Sequence, residues 1–463
     1  MIFEQYYLEC LSQASYLIAD ETTGRAVVVD PRRDIGEYLE SAETHGVTIE
    51  LVIETHFHAD FLSGHLEMAA ATGAEIAFGE SAKPEFSARS LRDGERISLG
   101  EVTLEIRETP GHTPESISIV VYEHPDDPVP YGVLTGDTLF IGDVGRPDLL
   151  SSRGSTSDEL ATLLHDSLRD KLMTLPDATR LFPGHGAGSA CGKNLSSELS
   201  STIGEQRAGN YALQPMSREE FVHVVTEGQA AAPDYFAYDA ARNREDHELL
   251  SEHERPAPMS IETARDHARR GAVLLDTRDP GEFASGSLIG SVNVGLEGRF
   301  AQYVGSVVHP DEQVVLLVEP GTELEAKVRL GRIGYDHIVG YVENLYEVFQ
   351  EHPEVARSAS RLTVGAFEER RRTISDLQIV DVRNPSETDE GSIPGAHFLP
   401  MPRLRDGIQT LDPSRPTVVF CAGGYRSSIA ASLLRCAGFG DVSDIIGGYH
   451  AWHSAQTRQA AIP

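Results

Sequence analysis

The chain has 463 residues, 40% of them hydrophobic, enough for about three domains that each bury a core. Its 39 basic and 72 acidic residues leave a net charge of −33, and only Lys83, Lys171, Lys193 and Lys327 among the cations are lysines. Such a surface repels nucleic acid and anionic membrane, which excludes both as expected partners and means that an anionic substrate needs locally placed arginine or backbone N–H groups. No apolar run reaches the length of about 18 residues that a membrane span requires. The first residues lack the basic start and apolar centre of a secretory leader, so a cytoplasmic location is expected. Cys10, Cys191, Cys421 and Cys436 form no CxxC pair and no disulfide framework, so each is read as packing or as chemistry.

Residues 1–245 read as alternating strands and helices. Ala26–Asp30, Glu50–Glu54, Leu104–Ile106 and Gly132–Leu134 are short β-rich runs, and His65–Thr72 is a helical stretch. Residues 246–260 are charged, Pro-containing and aperiodic, as a linker should be. An internal repeat follows. Asp276, Arg278, Glu282, Gly286 and Gly290 recur 105 residues later as Asp381, Arg383, Glu387, Gly391 and Gly395. Each copy runs strand, loop, second apolar strand, helix, which predicts two small α/β domains with parallel sheets at 261–350 and 362–463.

The first candidate site follows the strand at Glu50–Glu54. His56, His58 and Asp60 form an HxHxD on its end, where loops carry function. His112, Asp137 and His185 each lie just past a β-run beside Gly or Pro. Singly, such histidines are usually surface or satisfied core; in this order they read as a metal site. The constellation resembles the metallo-β-lactamase superfamily over residues 1–245, which implies an αββα fold there. Hydrolases of that fold, such as glyoxalase II, hold two metals with an HxHxDH motif and use a bridging hydroxide. Here Phe61 stands where the last histidine would be, and a phenyl ring cannot ligate. His56, His112 and Asp137 remain, two imidazoles and a carboxylate, the donor set of non-haem Fe(II) oxygenases. The stretch Gly136–Asp148 is similar to that of persulfide dioxygenases. That resemblance implies one Fe(II) per chain on His56, His112 and Asp137, with His58, Asp60 and His185 orienting ligands or water. Arg146 would hold an anionic part of a thiol carrier or else form an ion pair with Asp143 or Asp148. Pro183–Lys193 is Gly-rich, and its N–H groups could cradle an anion. Cys191 sits within it beside Lys193, which could lower the thiol pKa and let Cys191 accept sulfur; the alternative is a small packed residue.

The second candidate site is in the last repeat. A strand ends in Cys421; Gly423 and Gly424 let the loop curl, and the helix behind adds its positive end. This stabilises a thiolate nucleophile, and Arg426 could steer an anionic sulfur donor or acceptor toward it. The segment resembles the rhodanese active loop, CxxGxR in form, with matching flanks at Asp381–Arg383, Gly391–Ala396 and Gly447–Trp452. A CxxxxxR phosphatase loop is one residue longer. The first repeat places Leu317 at the cysteine position by ungapped alignment and has no cysteine to offer, which implies a rhodanese-like domain without activity.

The expected architecture is therefore an α/β multidomain chain: an N-terminal αββα metallo-β-lactamase fold plus two tandem α/β rhodanese-like domains. The expected function is oxidation of a low-molecular-weight thiol persulfide by O₂ to sulfite, coupled to sulfane-sulfur transfer through Cys421 to or from thiosulfate. The resemblance also implies a homo-oligomer. The rivals are a binuclear thioester hydrolase and a sulfur-carrier or sensor protein with a structural metal.

Overall fold

The computed structural model describes residues 1–149, 155–229, 232–389 and 391–460. The chain divides into two compact units: Met1–Ser251 with Gly331–Gly334, and Glu252–Leu330 with Tyr335–Pro463. The boundary falls inside the aperiodic stretch, which carries no helix or strand between Arg242 and Ile261.

The first unit holds two six-stranded sheets. One comprises β1 (Ile2–Leu8), β2 (Gln13–Asp20), β3 (Arg25–Val29), β4 (Thr48–Ile53), β5 (Glu75–Gly79) and β6 (Arg89–Leu91), in that spatial order. β1–β3 pair antiparallel and β3–β6 parallel. The other comprises β7 (Arg96–Ser98), β8 (Thr103–Glu108), β9 (Ile117–Tyr122), β10 (Gly132–Gly136), β11 (Arg180–Pro183) and β12 (Ser201–Thr202). Here only β10 and β11 run parallel. β1 to β3 and β5 to β10 are joined without intervening helices, so strict strand–helix alternation holds only from β3 to β5.

Side chains alternate across a strand, so each buried strand feeds two layers. Ile18, Val27, Val29 and Ile53 of one sheet meet Leu104, Ile106, Ile119 and Leu134 of the other in the central layer. Their neighbours Leu17, Val28 and Val52 face Tyr38, Ala42 and Met68 of the helices Gly36–His45 and His65–Thr72. On the far side Val120, Val133 and Leu181 face Ala161, Leu164, Phe221 and Val225 of the helices Ser157–Asp166 and Arg218–Thr226. Both of those helices begin in a capping box, Thr156 with Glu159 and Ser217 with Glu220, which satisfies their first free N–H groups. The result is an αββα sandwich.

The second unit contains two parallel sheets. β13 (Val273–Asp276), β14 (Ser287–Leu288), β15 (Ser291–Asn293), β16 (Val314–Leu317) and β17 (Ile338–Val342) belong to the first repeat, and its main sheet has the order β15-β13-β16-β17. β18 (Ala356–Arg357) pairs with β14. β19 (Ser360–Leu362), β20 (Gln378–Asp381), β21 (His397–Phe398), β22 (Thr417–Phe420) and β23 (Val442–Ile445) form the second sheet, ordered β19-β23-β22-β20-β21. Apart from the added β19 the two orders are the same. The repeated Asp and Arg explain themselves: Arg278 pairs with Asp276 at 2.7 Å and donates to the Gly286 carbonyl, and Arg383 pairs with Asp381 at 2.7 Å and donates to that of Gly391. A buried guanidinium must find acceptors, and the motif supplies them within its own turn.

Register corrects one sequence expectation. Asp276 pairs with Leu317 and Asp381 with Phe420, so the residue matching Cys421 is Val318, not Leu317. The offset between repeats shrinks from 105 to 103 residues between the two strands, which ungapped alignment missed. No helix among the described residues is long and apolar enough to cross a membrane.

Ile18 is fully buried between the sheets. Ile18→Ala should destabilise the first unit by about 2–5 kcal/mol in denaturant titration, the usual cost of such a cavity. Val129→Ala, at a site 41% exposed, should stay within about 0.5 kcal/mol of the parent.

Candidate metal centre and thiol loop

Strand ends of both sheets bring the metal-site residues together. His56, His58 and Asp60 follow β4, His112 lies between β8 and β9, Asp137 follows β10 and His185 follows β11. All six are at least 96% buried. Donor atoms of His56, His112 and Asp137 lie within 4.8 Å of one another.

The hydrogen bonds behind them decide which atoms face inward. The Thr55 hydroxyl donates to Asp30 Oδ2 at 2.9 Å, so it accepts from His56 Nδ1 at 3.0 Å. His112 Nδ1 donates to the Arg146 carbonyl at 2.9 Å. Both imidazoles therefore carry their proton on Nδ1, which leaves the Nε2 lone pairs bare. Those atoms lie 3.9 and 3.5 Å from Asp137 Oδ2, which is buried without a hydrogen-bond partner. Such an orphaned oxygen calls for an explanation. Three donors at these separations suit one cation about 2 Å from each. The residues thus fit a metal ion.

Burial and the neighbouring His58 hold the His56 pKa well below the ordinary imidazole value, and burial also lowers that of His112. Burial opposes ionisation of Asp137, but His185, His112 and His56 outweigh it and hold the carboxyl far below the usual range. The three groups are thus in the protonation states a metal needs.

His185 bridges two carboxylates: Nδ1 meets Asp137 Oδ1 at 2.7 Å and Nε2 meets Asp60 Oδ2 at 2.8 Å. Cys191 joins Asp60 and His185 in a second donor group within 4.8 Å. This agrees with the alternative reading of Cys191 as a small residue packed near the metal pocket; its grouping with Asp60 and His185 as donors is new. His58 lies between Asp30 and Glu54, at 3.2 and 3.4 Å, with its ring against His56 and Phe61. Burial would lower its pKa, but Asp30 and Glu54 push it up to about 10. Sequence reasoning missed Asp30 as a site residue. It ends β3 with φ 51°, a left-handed conformation Asp tolerates better than most, and its carboxylate takes the Thr55 N–H at 2.7 Å. The one available signal was an acid closing an apolar strand.

Three substrate-binding expectations are corrected. Arg146 is 2% exposed and grips Asp148 through two 2.7 Å bonds, with a third to the Ala190 carbonyl, so the ion-pair alternative holds. Lys193 does not lower the Cys191 pKa. Its ammonium is bound by the Val224 and Glu227 carbonyls, while burial, Asp60 and Asp137 push the Cys191 thiol well up. The anion that the Gly-rich loop cradles is internal: the N–H groups of Lys193 and Asn194 donate to Asp143 Oδ2 at 2.6 and 2.7 Å.

In the second unit, Cys421 directly follows β22 and is 1% exposed. The Gly424 N–H donates to its Sγ at 3.1 Å, and Ser427 Oγ lies 3.6 Å away. Gly424 has φ +104°, open to glycine at little cost, and a Cβ at Gly423 would meet nothing. The helix Tyr425–Cys436 starts here. Arg426 is held by Glu387: each of its terminal nitrogens donates one N–H to that carboxylate at 2.7 Å. Cys436, the last residue of that helix, is exposed.

With this geometry in view, the relatives can be placed. Residues 8–185 match the metallo-β-lactamase superfamily and residues 365–455 the rhodanese-like domain. A crystal structure of a metallo-β-lactamase from Staphylococcus aureus shares 32% identity, with a TM-score of 0.67 over 74% of this chain and 98% of that one. The chain belongs to the metallo-β-lactamase superfamily and carries a rhodanese-like domain toward its C-terminus. The bovine persulfide dioxygenase is 28% identical over 213 residues, 46% of this chain and 75% of that one. The hydroxyacylglutathione hydrolase of Rhodospirillum rubrum is 35% identical over 173 residues, 37% and 60% respectively. The chain spans about half the length of other curated relatives it matches, the β-lactamase hydrolase-like proteins.

Two outcomes are expected. Thr55→Val removes the hydroxyl that orients His56 and should weaken metal affinity about 10–100-fold in a chelator competition, with the circular dichroism unchanged. Burial would raise the Glu387 pKa, but its bonds to Arg426 lower it. Its stabilisation is therefore complete above the unfolded value of about 4.3 and is lost as pH falls through the folded value. Glu387→Gln should flatten the acid limb of the second unit's thermal stability below about pH 4.3, where the parent loses that stabilisation.

Proposed function

We propose that this chain is an Fe(II)-dependent persulfide dioxygenase joined to a sulfurtransferase that works through Cys421. The observation that carries the reading is the three-donor cluster around the bare Asp137 Oδ2, with Phe61 where a binuclear hydrolase would place a ligand.

His56 Nε2, His112 Nε2 and Asp137 Oδ2 would hold one iron and leave the rest of its coordination sphere open. Bound there, iron supplies the redox chemistry that lets O₂ react with sulfane sulfur. Thr55 and the Arg146 carbonyl keep the two imidazoles facing inward, and His185 holds the other oxygen of Asp137 away from the metal. The near-complete burial of these groups excludes bulk water from the reacting atoms. The balanced reaction is RSSH + O₂ + H₂O → RSH + SO₃²⁻ + 2H⁺. The outer sulfur gives up four electrons and O₂ takes them. In the second unit, Cys421 as thiolate attacks the outer sulfur of thiosulfate: Cys–S⁻ + S–SO₃²⁻ ⇌ Cys–S–S⁻ + SO₃²⁻. The S–S bond of thiosulfate breaks as the cysteine persulfide forms, and the Gly424 N–H stands ready beside Sγ. Run in reverse, the step consumes the sulfite made at the iron. The first repeat of that unit, with the same strand order but Val318 at the cysteine position, is read as a rhodanese-like domain without activity of its own.

A second reading has one specific observation in its favour. Asp60, His185 and Cys191 could hold another cation, which would make the site binuclear and suit a thioester hydrolase. Against it, both His185 nitrogens already face carboxylates and Phe61 adds no donor.

Metal analysis with an oxygen electrode separates the two. The proposal expects about one iron per chain, O₂ uptake with glutathione, coenzyme A or another low-molecular-weight persulfide, and sulfite that the second unit carries on to thiosulfate. His112→Ala should abolish that uptake. Cys421→Ser should keep it and move the product from thiosulfate to sulfite. Two metals per chain with thioester cleavage and no O₂ consumption would establish the hydrolase instead.

A further inference from the structure

The loop that carries Cys421 is built against the repeat that has no cysteine. The Tyr425 hydroxyl donates to the carbonyls of Gly295 and Glu297 at 2.9 and 3.2 Å. The Asn293 N–H donates to Ser432 Oγ at 2.9 Å, which ties the following helix to the end of β15. Arg405 clamps Glu312 through bonds of 2.9 and 2.8 Å. Tyr303, on the helix Phe300–Val304, packs edge-on against Tyr425 with ring centroids 5.3 Å apart.

That contact places the Tyr303 ring against the residue that follows Gly424 of the thiol loop. Burial pushes the Tyr303 phenol pKa up, so it stays protonated, and the charges of Arg426, Arg299, Cys421 and Glu387 act on it as well. Part of the usual anion-binding group of such a loop is already engaged, because each terminal nitrogen of Arg426 donates one N–H to Glu387. An oxoanion arriving at a buried thiol still needs a donor that is not already engaged by a carboxylate. The phenol is a neutral donor in the right place.

We propose that Tyr303 is a substrate-binding residue of the Cys421 site, its hydroxyl donating to the oxoanion end of a thiosulfate-like sulfur donor or of the sulfite that leaves. This rests on the sulfurtransferase reading of Cys421. It gives the cysteine-free repeat a chemical duty: it completes the pocket of its neighbour.

The test uses the full-length protein and Tyr303→Phe, which keeps the ring stacked on Tyr425 and removes only the hydroxyl. Sulfur transfer from thiosulfate to cyanide should show KM for thiosulfate raised about 10-fold or more, with kcat changed about 2-fold at most, the loss expected for one hydrogen bond to a charged group. Alkylation of Cys421, followed by mass spectrometry of its peptide, gives a second readout. Iodoacetate, an anion, should lose about 10-fold in rate relative to neutral iodoacetamide, while the iodoacetamide rate itself stays at the parent value. An unchanged KM and an unchanged reagent ratio would overturn the proposal. So would an equal slowing of both reagents, since the phenol would then only pack the loop. If the parent protein moves no sulfur from thiosulfate, yet Tyr303→Phe still abolishes the preference for iodoacetate, the sulfurtransferase reading fails and the anion-binding role of Tyr303 stands.

Discussion

Both metal-facing imidazoles donate from Nδ1, one to Thr55 and one to the Arg146 carbonyl, and the rest of the first unit is arranged around that constraint. A histidine ligates only through a nitrogen without a proton, so the partner of the other nitrogen selects the reactive atom. For His56 the selection passes back through the Thr55 hydroxyl to Asp30, at the end of another strand. For His112 it depends on the loop after β10, whose Arg146 also donates its N–H to the Cys191 carbonyl. Asp137 is divided in the same way. One oxygen is held by His185, and the other is left bare for chemistry.

This density of buried charge survives because each member has an opposite neighbour. Asp30 and Glu54 share His58, and Asp60 and Asp137 share His185. An isolated buried ion would cost far more than a domain's net stability, so such a cluster persists only as a paired whole. The same economy governs the arginines. Arg146, Arg278, Arg383 and Arg426 all spend their forks on carboxylates of this chain. In a molecule of net charge −33, acidic partners are abundant, and an arginine near a site is quickly claimed.

In the second unit one strand order accommodates a cysteine after the central strand in one repeat and a valine in the other. The Asp–Arg pair and the strand order are the same in both copies, since they serve packing and polar satisfaction. A valine at the cysteine position sits in the core at 1% exposure and costs the sheet nothing. What the copy retains is a surface complementary to the active loop, fastened at Gly295, Glu297 and Asn293.

Much was legible in the order of residues. The helix His65–Thr72 and the strands of both repeats could be read from it, because local propensity and period-two burial are properties of neighbouring residues, whereas the αββα fold was implied only by the resemblance that the strand-end motifs carry. So could the meeting of His56, His112 and Asp137, since strand-end motifs in a recognisable order imply a common edge. Only the tertiary structure decided how each donor atom is presented. Asp30 lies 25 residues from Thr55, Asp143 lies 50 from Lys193, and Tyr303 lies over a hundred from Cys421. Whether an arginine greets a substrate or its own aspartate, and whether a cysteine stands beside an ammonium or two carboxylates, depends on which chain segments fold back on it. Sequence spacing carries no record of that, and a one-residue slip such as Leu317 for Val318 is visible only once strands pair.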